Sequence, residues 1–277
     1  MSSVAVVTGA SSGIGLATTR ALAAAGWHVV ATARRPEAAA ALREVADQLP
    51  AVELRALDVT SDESVDACLG SILRDWGRVG LLVNNAGAGY RGTLEQLSVQ
   101  ELARSMELNF LGVARVTKAV LPGMRSARDG RIITVTSLNG VVALPFSDAY
   151  NAAKFAVEGL MESLAAVMRE FGVHVSVLEP GPVRTAFFTN VGGNIDNVPA
   201  DDPYKELIDR LNTRISAMGS GGQSPESVAG VICRIAAEPS PALRYQSSDE
   251  AGAVARRKLV DPTGVSVLDA TGALLQP

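Results

Sequence analysis

Tyr150 and Lys154 stand four residues apart in a segment, Ala149–Phe171, whose apolar period is helical, so one face carries both side chains a turn apart. A free phenol titrates at about 10, leaving about 0.1% ionised at neutral pH, and lowering that value by about 2–3 units takes roughly 3–4 kcal/mol. One ammonium about 4 Å away, at an effective dielectric of about 20, supplies about that much. Lys154 is therefore expected to lower the phenol's pKa and make Tyr150 a usable general acid and base. Ser137 ends a strand-like run over Arg131–Ser137, which predicts a place at the carboxyl edge of a parallel sheet, with its hydroxyl donating to a substrate oxygen. Singly, each residue has a plainer reading: a half-buried aromatic, a solvated helix lysine, a strand-ending hydroxyl.

A second group of residues with chemical meaning opens the chain. Thr8-Gly9-Ala10-Ser11-Ser12-Gly13-Ile14-Gly15 joins the first strand-like run to a helical pattern beginning Leu16-Ala17. Glycines at 9, 13 and 15 permit a tight turn and close backbone approach, and a helix N-terminus offers unpaired N–H groups and partial positive charge to a pyrophosphate. The spacing is Gly-x3-Gly-x-Gly, not the commoner Gly-x-Gly-x-x-Gly of dinucleotide sites. At the end of the second strand, where a carboxylate would hold a ribose 2′-hydroxyl, the chain has Thr32-Ala33-Arg34-Arg35. Arg34 or Arg35 can clamp a 2′-phosphate, with Ser12 as a further donor, so NADP(H) is expected over NAD(H). Arg35 is equally readable as an exposed start of the next helix. Asp58, before Val59 at the end of the third strand, is placed either to accept from an adenine amino group or to cap its own turn.

These residues need a scaffold, and the chain's rhythm provides one. Short β-branched runs at Val4–Thr8, His28–Ala33, Val52–Leu57, Leu81–Asn84, Arg131–Ser137 and His174–Glu179 alternate with helical segments at Ile14–Ala25, Glu37–Gln48, Glu63–Trp76, Gln100–Leu121 and Ala149–Phe171. That alternation predicts an α/β, Rossmann-type, doubly wound parallel sheet of six strands between two helical layers, as one domain over residues 1–277. Beyond Gly181 the rhythm breaks. Residues 186–223 read as a substrate flap carrying a short helix with Leu207, Leu211 and Ile215 along one face. Ser224-Pro225-Glu226 starts another helix, to about Ala237, and residues 239–277 form a C-terminal extension of unassigned structure.

Composition removes several function classes. A hydrophobic fraction of 47% with 19% charged residues describes an ordinary globular enzyme, and a net charge of −4 provides no field for nucleic acid; Arg256-Arg257-Lys258 reads as a solvated face. Cys68 and Cys233 lack disulfide-framework or metal spacing, so no metal site is expected. No apolar run is long enough for a transmembrane helix, and the first strand begins at Val4, which leaves no room for a signal peptide and predicts a cytoplasmic location.

With Asn84-Asn85-Ala86-Gly87 after the fourth strand, Asn109 inside the long fourth helix, and Pro180-Gly181-Pro182-Val183 after the sixth strand, the chain resembles the short-chain dehydrogenase/reductase family over nearly all its length. The glycine turn, the Asn-Asn-Ala-Gly stretch, the Ser/Tyr/Lys set and the Pro-Gly turn occur in the family's order. The resemblance implies a catalytic set of Asn109, Ser137, Tyr150 and Lys154. Asn109 would hold a water linking Lys154 to solvent, Lys154 would also grip the nicotinamide ribose, and Thr185 would contact the carboxamide. Cofactor contacts are expected from Gly9, Ser11, Ser12, Gly13, Ile14, Gly15, Arg34, Arg35, Asp58, Val59, Asn85, Ala86, Gly87, Tyr150, Lys154, Pro180, Gly181, Val183 and Thr185. The segments Leu144–Tyr150, Ser163–Ala165 and Gly181–Phe187, with Leu243-Arg244-Tyr245 and Asp261–Gly264, are similar to the 17β-hydroxysteroid dehydrogenase type 1 and retinol dehydrogenase branch. That branch implies a bulky lipophilic alcohol or ketone and a homo-oligomer, dimer or tetramer. One departure is plain: His28 and His174 are the only histidines, so none lies in the flap, where a steroid-specific member uses one.

Leu138, Val142, Leu144, Phe146, Phe187, Phe188 and Val191 flank the expected reaction site and are mostly apolar, as substrate pockets are, although loops also bury such residues against their own core. Two functions follow. One is an oxidoreductase moving a hydride between NADP(H) and a carbonyl or secondary alcohol; the other is a non-catalytic NADP(H)-binding regulator on the same fold. Joint retention of Asn109, Ser137, Tyr150 and Lys154 favours the first.

Overall fold

Alternate residues of the first strand already divide the interior in two. All four residues of β1 (Val4–Val7) are buried; Val4 and Val6 join one apolar cluster, Ala5 and Val7 the other, because successive strand side chains point to opposite faces. A strand covered on both faces needs no polar position, which is why these strands read as continuous apolar runs. With β2 (His28–Ala33), β3 (Val52–Ala56), β4 (Leu81–Asn84), β5 (Gly130–Val135), β6 (Val173–Glu179) and β7 (Arg244–Gln246), β1 forms a seven-stranded sheet in the order β3-β2-β1-β4-β5-β6-β7, every pair parallel. The computed structural model describes residues 4–185, 187, 198–219, 222–261, 263 and 265–273, without the side chains of 215–219, 266–268 and 271.

The sheet has one strand more than the six expected. β7 pairs with β6 through Val177↔Arg244, Leu178↔Tyr245 and Glu179↔Gln246, and three half-buried residues are too few to show a period. The strand order reverses between β1 and β4, and such a reversal opens a crevice at the carboxyl ends of the strands.

The helices are α1 (Gly13–Ala24), α2 (Ala40–Gln48), α3 (Asp62–Trp76), α4 (Val99–Met106), α5 (Gly112–Ala127), α6 (Asp148–Arg169), α7 (Lys205–Gly219), α8 (Pro225–Ala237), α9 (Asp249–Val260) and α10 (Val265–Gly272). On one face of the sheet α3, α5 and α6 bury Leu69, Ile72, Val116, Met124, Val157 and Met161; on the other α1, α2 and α8 bury Leu22, Leu42, Val45, Ile232 and Ile235. Helix starts are set locally. Ser61, Ser98, Ser224 and Ser248 each accept from the N–H three residues on, and Glu101 returns the bond to Ser98, each cap contributing about 1 kcal/mol.

The long fourth helix runs further than its sequence indicates. α4 and α5 are continuous through a π-helical turn at Glu107–Leu111, and Pro122 lies inside α5 where the helix was expected to stop. The turn beyond the proline is held by Met124, fully buried against Gly130, where an added Cβ would sit 2.6 Å from Met124 Cγ. In the expected flap, α7 docks through Ile208 and Leu211 onto Phe146, Val198 and Tyr204. Among the described residues no helix is long and apolar enough to cross a membrane.

Candidate active site

The glycine turn lies at the β1 end of the crevice and is assembled by contact. Gly9 (φ +66°) lets Ala86 approach, with Ala86 Cα 2.8 Å from where a Cβ would be; at Gly15 a Cβ would fall 2.3 Å from the Gly9 carbonyl. The Thr8 hydroxyl accepts from Asn85 N at 2.9 Å and Ala86 N at 3.0 Å, and Asn85 Nδ2 donates to the Thr8 and Gly9 carbonyls at 3.0 Å each. Asn85 therefore acts on the turn itself, while Asn84 points inward to the hydroxyls of Thr117 (2.9 Å) and Thr134 (3.3 Å). Ser12 is the N-cap residue of α1 but its hydroxyl makes no capping bond; with exposed Ser11 and partly exposed Gly13 and Ile14 it leaves the helix start open. Thr185, in the segment after Pro180-Gly181-Pro182-Val183, stands over Gly13, its Cγ2 3.1 Å from a Cβ there. The segment is anchored by Leu138 N donating to Pro180 O at 3.0 Å and by a parallel bridge from Val183 to Gln223. A turn that a single methyl would fill, topped by an uncapped helix start, fits a pyrophosphate.

Arg34 and Arg35 are exposed past the end of β2, and neither side chain has a hydrogen bond or ion pair among the described residues. Arg35 also leads into a 3-10 turn at Pro36–Ala38, so its plainer reading has a structural basis as well. Asp58 caps its own turn: Oδ1 accepts from Thr60 N at 2.9 Å and from the Thr60 hydroxyl at 2.7 Å. Those bonds hold its carboxyl below the usual range, and the charge of Arg34 adds to the effect. Val59 is buried against Gly112 of α5.

Tyr150, Lys154, Ser137 and Asn109 come together at the neighbouring carboxyl edge. Ser137 lies just beyond β5, accepts from Asn139 N at 3.1 Å and is hydrogen-bonded to the Tyr150 phenol. Tyr150 is 8% exposed and Lys154 4%. Burial pushes the Tyr150 phenol up to about 12, partly offset by the Ser137 hydroxyl, the reverse of the lowering expected from Lys154. Lys154 Nζ donates to the Val135 carbonyl at 3.1 Å and lies 5.6 Å from the centre of the Tyr150 ring, and loss of water around the phenol is the larger effect. Burial draws the Lys154 amine down to about 8, against the opposing charge of Glu158. Asn109 is buried in the π-helical turn and clamps Ala88, accepting from its N–H at 3.1 Å and donating to its carbonyl at 3.0 Å. Gly87 permits this, since a Cβ there would meet Asn109 Oδ1 at 2.8 Å.

The expected lining divides. The Phe187 ring meets the Tyr150 ring edge-on at 5.7 Å between centres. Leu138 and Val142 pack with Val141 against Val254 and Ala255 of α9; Phe146, at φ +57°, is buried under α7, and Leu144 is half-buried with its carbonyl bonded to Asn151. Phe188 and Val191 lie outside the described residues. A surface hollow of about 360 Å³ between Glu95, Gln96 and Val198–Tyr204 includes none of the residues named for chemistry. Among the described residues no cluster of His, Cys, Asp or Glu could hold a metal.

Several contributors escaped the sequence reading. Ser105 ties α4 to the Ala149 carbonyl beside Tyr150 at 3.2 Å, and Asn139 bonds Asn151 at 2.8 Å to shape the loop after Ser137. Glu158, Glu179 and Arg244 lie behind Lys154. Only Glu158 left a trace, being one further turn along the face of Tyr150 and Lys154.

Residues 3–195 match a family model described as short chain dehydrogenase. The chain is 36% identical over 277 residues to 17-beta-hydroxysteroid dehydrogenase type 1 of Homo sapiens, covering 96% of this chain and 84% of that one. A short-chain dehydrogenase from Streptomyces avermitilis is similar in structure with a TM-score of 0.84 at 33% identity, over 99% of this chain and 98% of the other. A metagenomic short-chain oxidoreductase in complex with NADP is similar with a TM-score of 0.69 at 30% identity, over 88% of this chain and 96% of the other.

Proposed function

The chain belongs to the short-chain dehydrogenase family, and on that premise we propose that it is an NADP(H)-dependent oxidoreductase acting on a carbonyl or secondary alcohol of a lipophilic substrate. The observation that carries the reading is the convergence of Ser137, Tyr150 and Lys154 at the sheet's carboxyl edge, beside a glycine turn whose shape fits a pyrophosphate. NADP(H) is supported by the two uncommitted arginines after β2 and by the NADP-bound metagenomic relative. The bound dinucleotide supplies the hydride.

The residues divide the remaining work. Gly9, Ser11, Ser12, Gly13, Ile14 and Gly15 hold the pyrophosphate, Arg34 with Arg35 the 2′-phosphate, and Asp58 and Val59 the adenine end. Ala86, Gly87, Pro180, Gly181, Val183 and Thr185 border the nicotinamide, and Asn85 braces the turn they share. Ser137, held by Asn139 N and hydrogen-bonded to the Tyr150 phenol, would turn its proton to the substrate oxygen. Tyr150 keeps its proton at neutral pH, with burial pushing the phenol up, and it is the group placed to donate that proton to an oxygen gaining negative charge. Lys154 would hold the ribose hydroxyls of the dinucleotide, and its ammonium would stabilise the phenolate left when Tyr150 gives up its proton. A relay through Asn109 would use its main-chain carbonyl, since the amide is committed to Ala88 and Ser105.

A lipophilic substrate is supported by the Phe187 ring set edge-on against Tyr150. Residues 186–223 would close over it, and pairing through the outer faces of α5 and α6, where Val167 is exposed, would give a homo-oligomer. Tyr150→Phe is the test. NADPH oxidation across ketones and aldehydes of graded size should fall at least about a hundredfold, with NADPH affinity retained. Unchanged turnover in Tyr150→Phe, or wild-type protein that binds NADPH but reduces no carbonyl, would refute the proposal, and the second result would favour a regulator.

A further inference from the structure

Behind Tyr150 and Lys154, α6 carries a third polar side chain into the interior. Glu158 is 6% exposed, and among the described residues neither carboxylate oxygen has a hydrogen-bond partner. Gly140 makes room for it, since a Cβ there would lie 3.1 Å from Glu158 Cγ and 3.2 Å from the Lys154 carbonyl. Glu179, ending β6, is fully buried; Oε2 accepts from Gln246 Nε2 at 2.8 Å and Oε1 has no hydrogen-bond partner. Between the two carboxylates stands Arg244 of β7, its Nε 3.4 Å from Glu158 Oε2 and 3.5 Å from Glu179 Oε1, its Nη2 2.5 Å from Glu162 Oε2 on the outer side. Glu158 thus faces Lys154 and Glu162 from α6, Glu179 from β6, Arg244 from β7, and the Thr136 hydroxyl beyond β5, which spends its proton on the Leu178 carbonyl at 3.0 Å.

Two buried carboxylates sharing one guanidinium, without full hydrogen bonding, are a poor device for stability. We propose that Glu158 and Arg244 are positioning residues for Lys154: the guanidinium on β7 keeps Glu158 ionised, and Glu158 keeps the Lys154 amine protonated inside the protein. The inference rests on the reading of Tyr150 and Lys154 as the proton-transfer pair. It gives β7 a task, because Arg244 lies beyond residues 3–195 that match the family model. Burial pulls Lys154 down to about 8 and Glu158 opposes it; burial pushes Glu158 up to about 7, and Arg244 and Lys154 oppose that. Removing one charge therefore loosens the next along the line toward Tyr150.

The chain has four lysines, Lys118, Lys154, Lys205 and Lys258, so labelling the lysine ε-carbons gives a simple NMR spectrum in which Lys154 is identified by its loss in Lys154→Met. Glu158→Gln and Arg244→Gln should each lower the Lys154 titration midpoint by at least about one pH unit, a tenfold loss of proton affinity. The double variant should fall short of the summed shifts, since both act along one line, and Arg244→Lys should restore most of the midpoint. The alkaline limb of carbonyl reduction should move to lower pH in the same variants. A Lys154 midpoint unmoved in folded Glu158→Gln and Arg244→Gln overturns the proposal, as does a melting temperature lowered equally by Arg244→Gln and Arg244→Lys with the titration unchanged. A shifted midpoint in a protein that reduces no carbonyl would refute the oxidoreductase reading and leave the charge line standing.

Discussion

Gly15→Ala separates the phosphate turn from the rest of the site. Gly15 is in the first turn of α1, where alanine's helical preference would favour the change by about 1 kcal/mol. Space opposes it: the added methyl falls 2.3 Å from the Gly9 carbonyl oxygen, 2.5 Å from Asn85 Nδ2 and 3.0 Å from Ala10 Cα. Close carbon–oxygen contacts begin at about 3.3 Å, so the turn must open by about 1 Å, and two of the three obstacles are backbone that no rotamer change can move. Opening there also weakens the Asn85 bond to Gly9, now 3.0 Å, worth about 1 kcal/mol. The lost bond cancels the helical gain, so overpacking decides the sign and leaves about 1–3 kcal/mol of destabilisation. Melting should fall by about 2–10 °C, and NADPH affinity by at least about tenfold, because the N–H groups of the helix start move with the turn. Gly230→Ala is the matched control, exposed on α8 with nothing within 4 Å of its added carbon, and should raise stability by about 1 kcal/mol. Calorimetric melts and NADPH fluorescence titrations read both effects. Gly15→Ala melting with the wild type and binding NADPH within about twofold of it would refute the reasoning, since contacts this short at backbone atoms have no cheap release.

Lys154→Met should abolish turnover yet melt higher than the wild type at neutral pH. The folded amine sits near 8, below its ordinary 10.5, so the unfolded chain binds the extra proton and the cost to the fold grows as pH falls from 10.5 to 8, reaching up to roughly 3 kcal/mol below that; a stability gap that does not vary with pH would contradict this. Arg34→Asp should lower the NADP-to-NAD affinity ratio by about 10–100-fold, the worth of a charge-assisted clamp, and an unchanged ratio in equilibrium titrations would remove Arg34 from that role. Phe187→Ala should uncover the Tyr150 ring, moving the phenol down from about 12 towards its ordinary value, and should cost about 2–10-fold in kcat/KM for bulky ketones but little for small ones.

The layered sheet was legible because its signals are local and repeated. Apolar runs of strand length, the switch to helical period, and Ser-Pro at a helix start each reflect one residue's relation to near neighbours, and Ser61, Ser98 and Ser224 cap helices that such signals place, whereas Ser248 caps α9 in the stretch left unassigned. Failures came where a distant contact overrides a local rule. Pro122 marks a stop until Met124 is seen buried against Gly130, and β7 is three residues whose only reason to be a strand is the free edge of β6.

The site divides in the same way, which explains why its residues could be named while the phenol's pKa shift was expected with the wrong sign. Spacing of four on a helix tells that Tyr150 and Lys154 share a face, but the electrostatic outcome depends on where the amine's hydrogen bonds go and how much water the pair has lost. Here Lys154 donates to Val135 and the phenol is sealed, so desolvation outweighs attraction and the proton is held more tightly than in water. A phenol that keeps its proton has one to give to a developing oxyanion, and a positive charge brought near its hydroxyl would strengthen it as an acid. That charge is carried by an amine whose nearest countercharges, Glu158 and through it Arg244, come from α6 and from a strand some ninety residues later. Proton-transfer chemistry at Tyr150 is thus governed by burial and by long-range charge, neither of which leaves a period in the sequence.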